Sequence, residues 1–192
     1  MPGARILLAA APKTAARRTT FTLTLVRHRG RWVSAVPALA NRIFEAALRR
    51  RGAPGLVGAR VVRREARYGR SRIDFVLESR GRRVLTEIKS VTLVEDERAL
   101  FPDAPTERGA RHLRELAAHC RRRGRALVVF VVQRDDARSV SPHPVNDPAF
   151  ARAATEAAAA GVRFLAYACR VTPAGVTLER RVPVRLPGRI RV

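Results

Sequence analysis

The stretch from Ser71 to Val91, SRIDFVLESRGRRVLTEIKSV, constrains the fold more than any other part of the chain. Two apolar-rich runs of strand length, Arg72 to Glu78 and Arg83 to Val91, flank Gly81 and predict a β-hairpin. A two-residue turn at Arg80 and Gly81 sets a register in which Asp74 lies opposite Glu87. Side chains two residues apart share a strand face, so Lys89 joins Glu87 there, with Val76 and Leu85 as apolar neighbours. Opposed carboxylates destabilise a sheet unless something cationic lies between them. A divalent metal meets that need. Asp74, Glu87 and the Ile88 backbone carbonyl are hard oxygen ligands of the kind Mg²⁺ (or Mn²⁺) accepts while keeping several waters. The neighbouring Lys89 ammonium is placed to position or deprotonate a water.

Composition sharpens the case for Lys89. Of 39 basic residues only Lys13 and Lys89 are lysines, so a lysine kept inside a strand points to a task arginine cannot perform. Lysine can lose its proton when desolvated and arginine does not. The net charge of +23 favours a polyanionic partner, nucleic acid before an anionic membrane surface. With 46% hydrophobic residues in 192, the chain can bury one good core. Cys120 and Cys169 are too few and too far apart for a disulfide framework or a zinc site, and read as buried thiols of a cytoplasmic protein. No apolar run approaches the length of a membrane span.

Along the chain, three strand-like pieces come first: Ile6 to Ala10, the alternating Phe21 to Leu25, and Arg31 to Val36. Their half-barrel character predicts an open sheet with an exposed edge. Asn41 is a candidate N-cap for a helix with Ile43, Phe44, Ala47 and Leu48 on its apolar face. Arg60 to Tyr68 reads as a strand. After the hairpin a long loop leads to a helix capped by Thr106, with the stripe Leu113, Leu116, Ala117 and Cys120. Its positive N-terminus, with Arg108 and His112 near its start, suits a phosphate. Ala126 to Val132 is an uninterrupted apolar run, as expected for a strand covered on both faces of a largely parallel sheet. Gln133 and Arg134 follow it and are expected in the crevice where such sheets bind ligands. Asp147 and Pro148 start a last helix, Gly161 ends it, and strands follow at Val162 to Tyr167 and Val176 to Val184.

An aspartate on one strand and Glu-X-Lys on the next resembles the PD-(D/E)XK nuclease superfamily. The stretches YGRSRIDFVLE, EIKSVTL, LFPDAPTERGARHLREL, VVFVVQRDD and GVRFLAY are together similar to the sugar fermentation stimulation protein family, SfsA. The resemblance implies an α/β, restriction-endonuclease-like core over residues 39–192, with a mixed sheet flanked by helices. It implies a partial OB-fold-like β segment over residues 1–38, which looks like the second half of such a domain. Either the gene start lies further upstream or this is a shortened form. In the superfamily the first core helix often supplies an acidic residue to the metal site, which makes Glu45 a candidate, with Glu65 and Glu107 as weaker ones. The expected function is a Mg-dependent nuclease with catalytic Asp74, Glu87 and Lys89. The expected nucleic-acid contacts are Arg72, Arg108, His112, Gln133 and Arg134. DNA is the first expected partner and RNA the second, with a homodimer open as an assembly. The alternative is a non-catalytic DNA-binding regulator of sugar, notably maltose, utilisation genes.

Overall fold

The computed structural model describes residues 3–11, 19–50 and 53–187. Strands β1 (Ile6–Ala10), β2 (Phe21–His28) and β3 (Arg31–Ser34) form an antiparallel sheet in that order, open as the sequence suggests. Ile6 and Leu8 on β1 and Phe21 and Leu23 on β2 remain exposed, whereas Leu25 is buried. Helix α1 (Leu39–Arg50) begins earlier than expected, because the amides of Leu39 and Ala40 donate to the carbonyls of Val36 and Pro37. Asn41 is therefore inside the first turn and does not cap the helix.

Strands β4 (Arg60–Tyr68), β5 (Ser71–Ser79) and β6 (Arg82–Val91) follow as an antiparallel meander. Arg80 and Gly81 both take positive φ, 52° and 69°, the two-residue geometry whose twist matches a hairpin. Ser79 pairs with Arg82 and Phe75 with Thr86, which is the register read from the sequence. The long loop is not structureless. It contains β7 (Val94–Glu95) and β8 (Arg98–Phe101), which join β10 (Ser139–Pro142) in a second small sheet of order β10-β8-β7. These strands are too short to show a period in sequence.

Helix α2 (Glu107–Arg121) is capped by Thr106, whose hydroxyl accepts from the Gly109 amide at 2.9 Å. Strand β9 (Ala126–Val132) precedes β10, and α3 (Pro148–Ala159), β11 (Arg163–Thr172) and β12 (Gly175–Val182) complete the chain. The main sheet has order β12-β11-β9-β6-β5-β4, parallel across β11, β9 and β6 and antiparallel at both edges. Val128, Phe130 and Val132 of β9 pack toward α2 and α3, while Leu127, Val129 and Val131 pack toward α1. That two-sided cover is why β9 reads as a continuous apolar run. Burying each such side chain contributes about 1.5–3 kcal/mol. Leu25, with Leu7 and Trp32 beside it, belongs to the α1-side core.

Asp147 ties the two helices on the other face together. One carboxylate oxygen accepts from the Phe150 amide in α3 and the other from the Thr106 amide ahead of α2, each at 2.8 Å. Asp147→Ala leaves a buried and a half-buried amide without acceptors, and is expected to lower the unfolding free energy by about 2–4 kcal/mol; Asp147→Asn, which keeps one acceptor, should lose about half of that in a urea titration. Burial, with the Glu179 charge adding to it, pushes the Cys169 thiol up to about 12. Raised that far above its ordinary value, the group carries little thiolate at pH 8. Cys169 is expected to resist a disulfide reagent at that pH in the native protein and to react fully in denaturant.

Candidate metal and phosphate site

The β5–β6 ladder ends at Phe75 and Thr86, one pair short of Asp74 and Glu87. Ile73 packs into the α2/α3 core and Phe75 into the α1 core, although they are two residues apart. The strand's alternation thus breaks at Asp74, which leaves its carboxylate at the strand margin. There one oxygen accepts from the Ile88 amide at 2.8 Å and the other from the Asn41 side chain at 3.0 Å. Burial, and next the Glu87 charge, raise the Asp74 carboxyl above its ordinary value against the lowering effect of those hydrogen bonds.

Glu87 is 4% exposed, and its two oxygens have unequal surroundings. Oε1 accepts from Lys89 Nζ at 2.9 Å and meets His112 Nδ1 at 2.5 Å. Arg108 Nε lies 3.4 Å from His112 Nε2; a guanidinium can only donate, so Nε2 accepts and Nδ1 carries the proton given to Glu87. Oε2 is buried and has no hydrogen-bond partner. Burial works to raise the Glu87 carboxyl, but the His112 hydrogen bond and the Lys89 charge outweigh it and hold the group below its usual range. One carboxylate is thus kept charged beside another that resists charging, the split expected of acids that share a site.

This donor set fits a divalent cation. An orphaned buried carboxylate oxygen is costly unless something cationic or hydrogen-bonding meets it. In an extended strand the N–H and C=O of one residue point to the same side. The Ile88 carbonyl therefore faces the margin where its amide already meets Asp74. Among the described residues no three His, Cys, Asp or Glu side chains gather as metal ligands. The site thus offers Asp74, Glu87 and a backbone carbonyl, a number suited to an ion that retains waters.

The remaining candidates fall in different places. Arg72 is exposed two residues before Asp74 and lies 3.4 Å from Glu65. The β4–β5 register places Glu65 across from Asp74, between the pairs Arg64–Phe75 and Ala66–Ile73, with φ at 49°. Its side chain is exposed and meets Arg72. Arg108 and Glu107 are exposed in the first turn of α2. Glu45 is nearly buried but is held by Arg64 and Arg49, one turn beyond Asn41. His112, expected on a phosphate, is 1% exposed and belongs to the Glu87 network. Gln133 and Arg134 do not line a crevice. Gln133 is fully buried, its amide nitrogen donating to Ser90 and to the Val36 and Pro37 carbonyls. Arg134 pairs with Asp136 and donates to the Thr92 carbonyl. The chain leading from β3 to α1 crosses the carboxyl end of β9 and covers the place where ligands of open sheets usually bind. Sequence reasoning missed Asn41, whose signal was its position one helical turn before Glu45, and gave His112 the wrong partner.

A family model described as the sugar fermentation stimulation protein RE domain matches residues 38–175. The chain is 46% identical over 187 residues to a sugar fermentation stimulation protein homolog from Moorella thermoacetica, covering 97% of this chain and 81% of the relative. It is 43% identical to another such homolog from Geobacter metallireducens, with 97% and 81% covered. Among solved structures, that of Pyrococcus furiosus SfsA in complex with Ca²⁺ superposes with a TM-score of 0.87 at 29% identity, over 96% of this chain and 79% of that one. No described helix is long and apolar enough to cross a membrane. The extent of the family match and the identity over nearly all of the chain lead to one conclusion: it belongs to the sugar fermentation stimulation protein family.

Proposed function

We propose that the protein is a divalent-metal-dependent phosphodiesterase acting on nucleic acid, built on a restriction-endonuclease-like core of the PD-(D/E)XK kind. The observation that carries this reading is Glu87 Oε2, a buried carboxylate oxygen without a partner beside an aspartate that burial and Glu87 hold above its ordinary value. Asp74, Glu87 and the Ile88 carbonyl would hold Mg²⁺ or Mn²⁺. A relative of the same fold is named as a Ca²⁺ complex, which agrees with oxygen ligation of a divalent ion. Such an ion supplies Lewis acidity toward a phosphoryl oxygen.

The chain's own residues do the rest. Lys89, anchored on Glu87 Oε1, orients the attacking water and donates to oxygen on which charge builds as the P–O bond breaks. His112 holds Glu87 from the opposite side, so that Oε2 and not Oε1 is presented. Arg72 and Arg108 are exposed within reach of this strand margin and suit the flanking phosphates. The exposed arginines 60, 63, 64 and 67 along the edge strand β4 favour a second reading, a non-catalytic DNA-binding protein that uses the same fold for grip.

Labelled single- and double-stranded DNA and RNA, incubated with Mg²⁺, Mn²⁺ or EDTA, separate the two readings. Asp74→Ala or Glu87→Ala is expected to abolish divalent-ion binding, measured calorimetrically, together with cleavage. Lys89→Ala should retain the ion and lose cleavage, and Lys89→Arg should not restore it, since a planar guanidinium, unlike a compact ammonium, would take both oxygens of Glu87. Equal DNA binding in EDTA and in all three alanine variants, with no cleavage under any ion, would replace the enzyme by the binder. Under either reading affinity for nucleic acid should fall steeply between about 50 and 200 mM salt, checked by fluorescence anisotropy.

A further inference from the structure

The parallel strands β6, β9 and β11 have two ends, and the carboxylate site occupies neither of their N-termini. Val84 lies five residues before Lys89 on β6, about 16 Å along the strand. At that far end a cavity of about 610 Å³ opens on the α1 side of the sheet. Its floor is apolar: Leu56, Leu77 and Leu127 are buried beneath it, with Val84 at the side. Val57, 77% exposed, stands in its lining with no hydrophobic cover.

Three arginines from separate parts of the chain line this cavity. Arg80 comes from the hairpin turn, Arg125 from the α2–β9 loop and Arg163 from the start of β11. None of the three forms an ion pair among the described residues, whereas Arg60, Arg64, Arg138 and Arg170 all do. Unpaired arginines are inevitable in a chain with 39 basic and 16 acidic residues, so their lack of partners alone decides nothing. Their shared place in the lining, over a buried apolar floor, does. A smaller cavity on the opposite face of the hairpin shares Arg125 and adds Arg82, Arg83 and Arg123, which deepens the positive potential there.

We propose that this cavity is a second, separate binding site for a small phosphorylated ligand of the nucleotide class. Guanidiniums at the rim suit a phosphate, which they bind in bidentate fashion. The floor of leucines suits a planar or apolar body, and Val57 would cover it. The volume lies within the range of pockets that enclose small ligands. A bare phosphate chain would use the arginines but not the floor. The assignment is independent of the carboxylate site and stands whether or not that site cleaves.

Titration calorimetry of the full chain with ADP in EDTA tests it. One ADP per chain is expected, bound at least about tenfold more weakly by Arg125→Ser and by Arg163→Ser. The arginines substituted are all exposed, as is Val57, and a thermal melt confirms that each variant folds. Arg170→Ser removes the same charge at the opposite end of β11 and should leave ADP affinity within about twofold. Val57→Asp should weaken ADP as well. The proposal is overturned if no saturable ADP binding occurs, or if Arg170→Ser weakens it as much as Arg125→Ser. Inorganic pyrophosphate binding as tightly as ADP would also overturn it, because charge alone would then suffice. So would a single-stranded oligonucleotide that binds through Arg125 and Arg163 where ADP does not, which would make the surface a nucleic-acid track.

Discussion

A carboxylate buried in the middle of a β-sheet is the constraint on which much of this structure depends. Glu87 is on β6, between β5 and β9, where desolvation alone would drive it to its neutral form. Two donors on one oxygen keep it ionised, and they come from different elements. Lys89 is supplied by the same strand two residues on, as the pleat requires. His112 is supplied by α2, so the helix must lie over β6 in one rotation and one axial position. Thr106 fixes where that helix starts, and Asp147 fixes Thr106 by accepting from its amide. A cap at the head of α3 is thus linked through Thr106 to the start of the helix that carries His112.

The hairpin was the most legible part of the sequence because its information is local. Two residues of turn determine a register, and Arg80 and Gly81 adopt the conformation that register needs. β9 was legible for a different reason: cover on both faces leaves no polar position in the run. Caps at Thr106 and Asp147 were readable from residue chemistry alone. The site was read less completely. That Glu87 and Lys89 touch follows from spacing, but that Asp74 leaves the ladder and is received by the Ile88 amide depends on where β5 stops pairing. His112 could be placed on a helix start, yet which way it faced required the packing of α2 against the sheet.

Gln133 and Arg134 show where a general rule is overridden. Residues after a parallel strand usually border a crevice, but here the segment between β3 and α1 lies across that end and takes Gln133 as its anchor. The amide nitrogen of Gln133 reaches two carbonyls of that segment, and the amide of Ser34 donates to the Gln133 carbonyl. Polar side chains at such a position serve the joint between the N-terminal sheet and the main one. Nothing in the local sequence distinguishes that use from ligand binding, because both call for a buried hydrogen-bonding group.

The near-exclusive use of arginine makes the same point about Lys89 from the side of charge. A guanidinium at that position would present a planar fork with five donors to a single carboxylate oxygen already occupied by His112. It would engage both oxygens of Glu87, as Arg134 does with Asp136 through separate nitrogens. An ammonium is compact and can meet Oε1 alone, leaving Oε2 free. Lysine in place of arginine is thus consistent with a buried carboxylate oxygen left without a partner, and the state of Glu87 follows from the shape of one cation as much as from the placing of two anions.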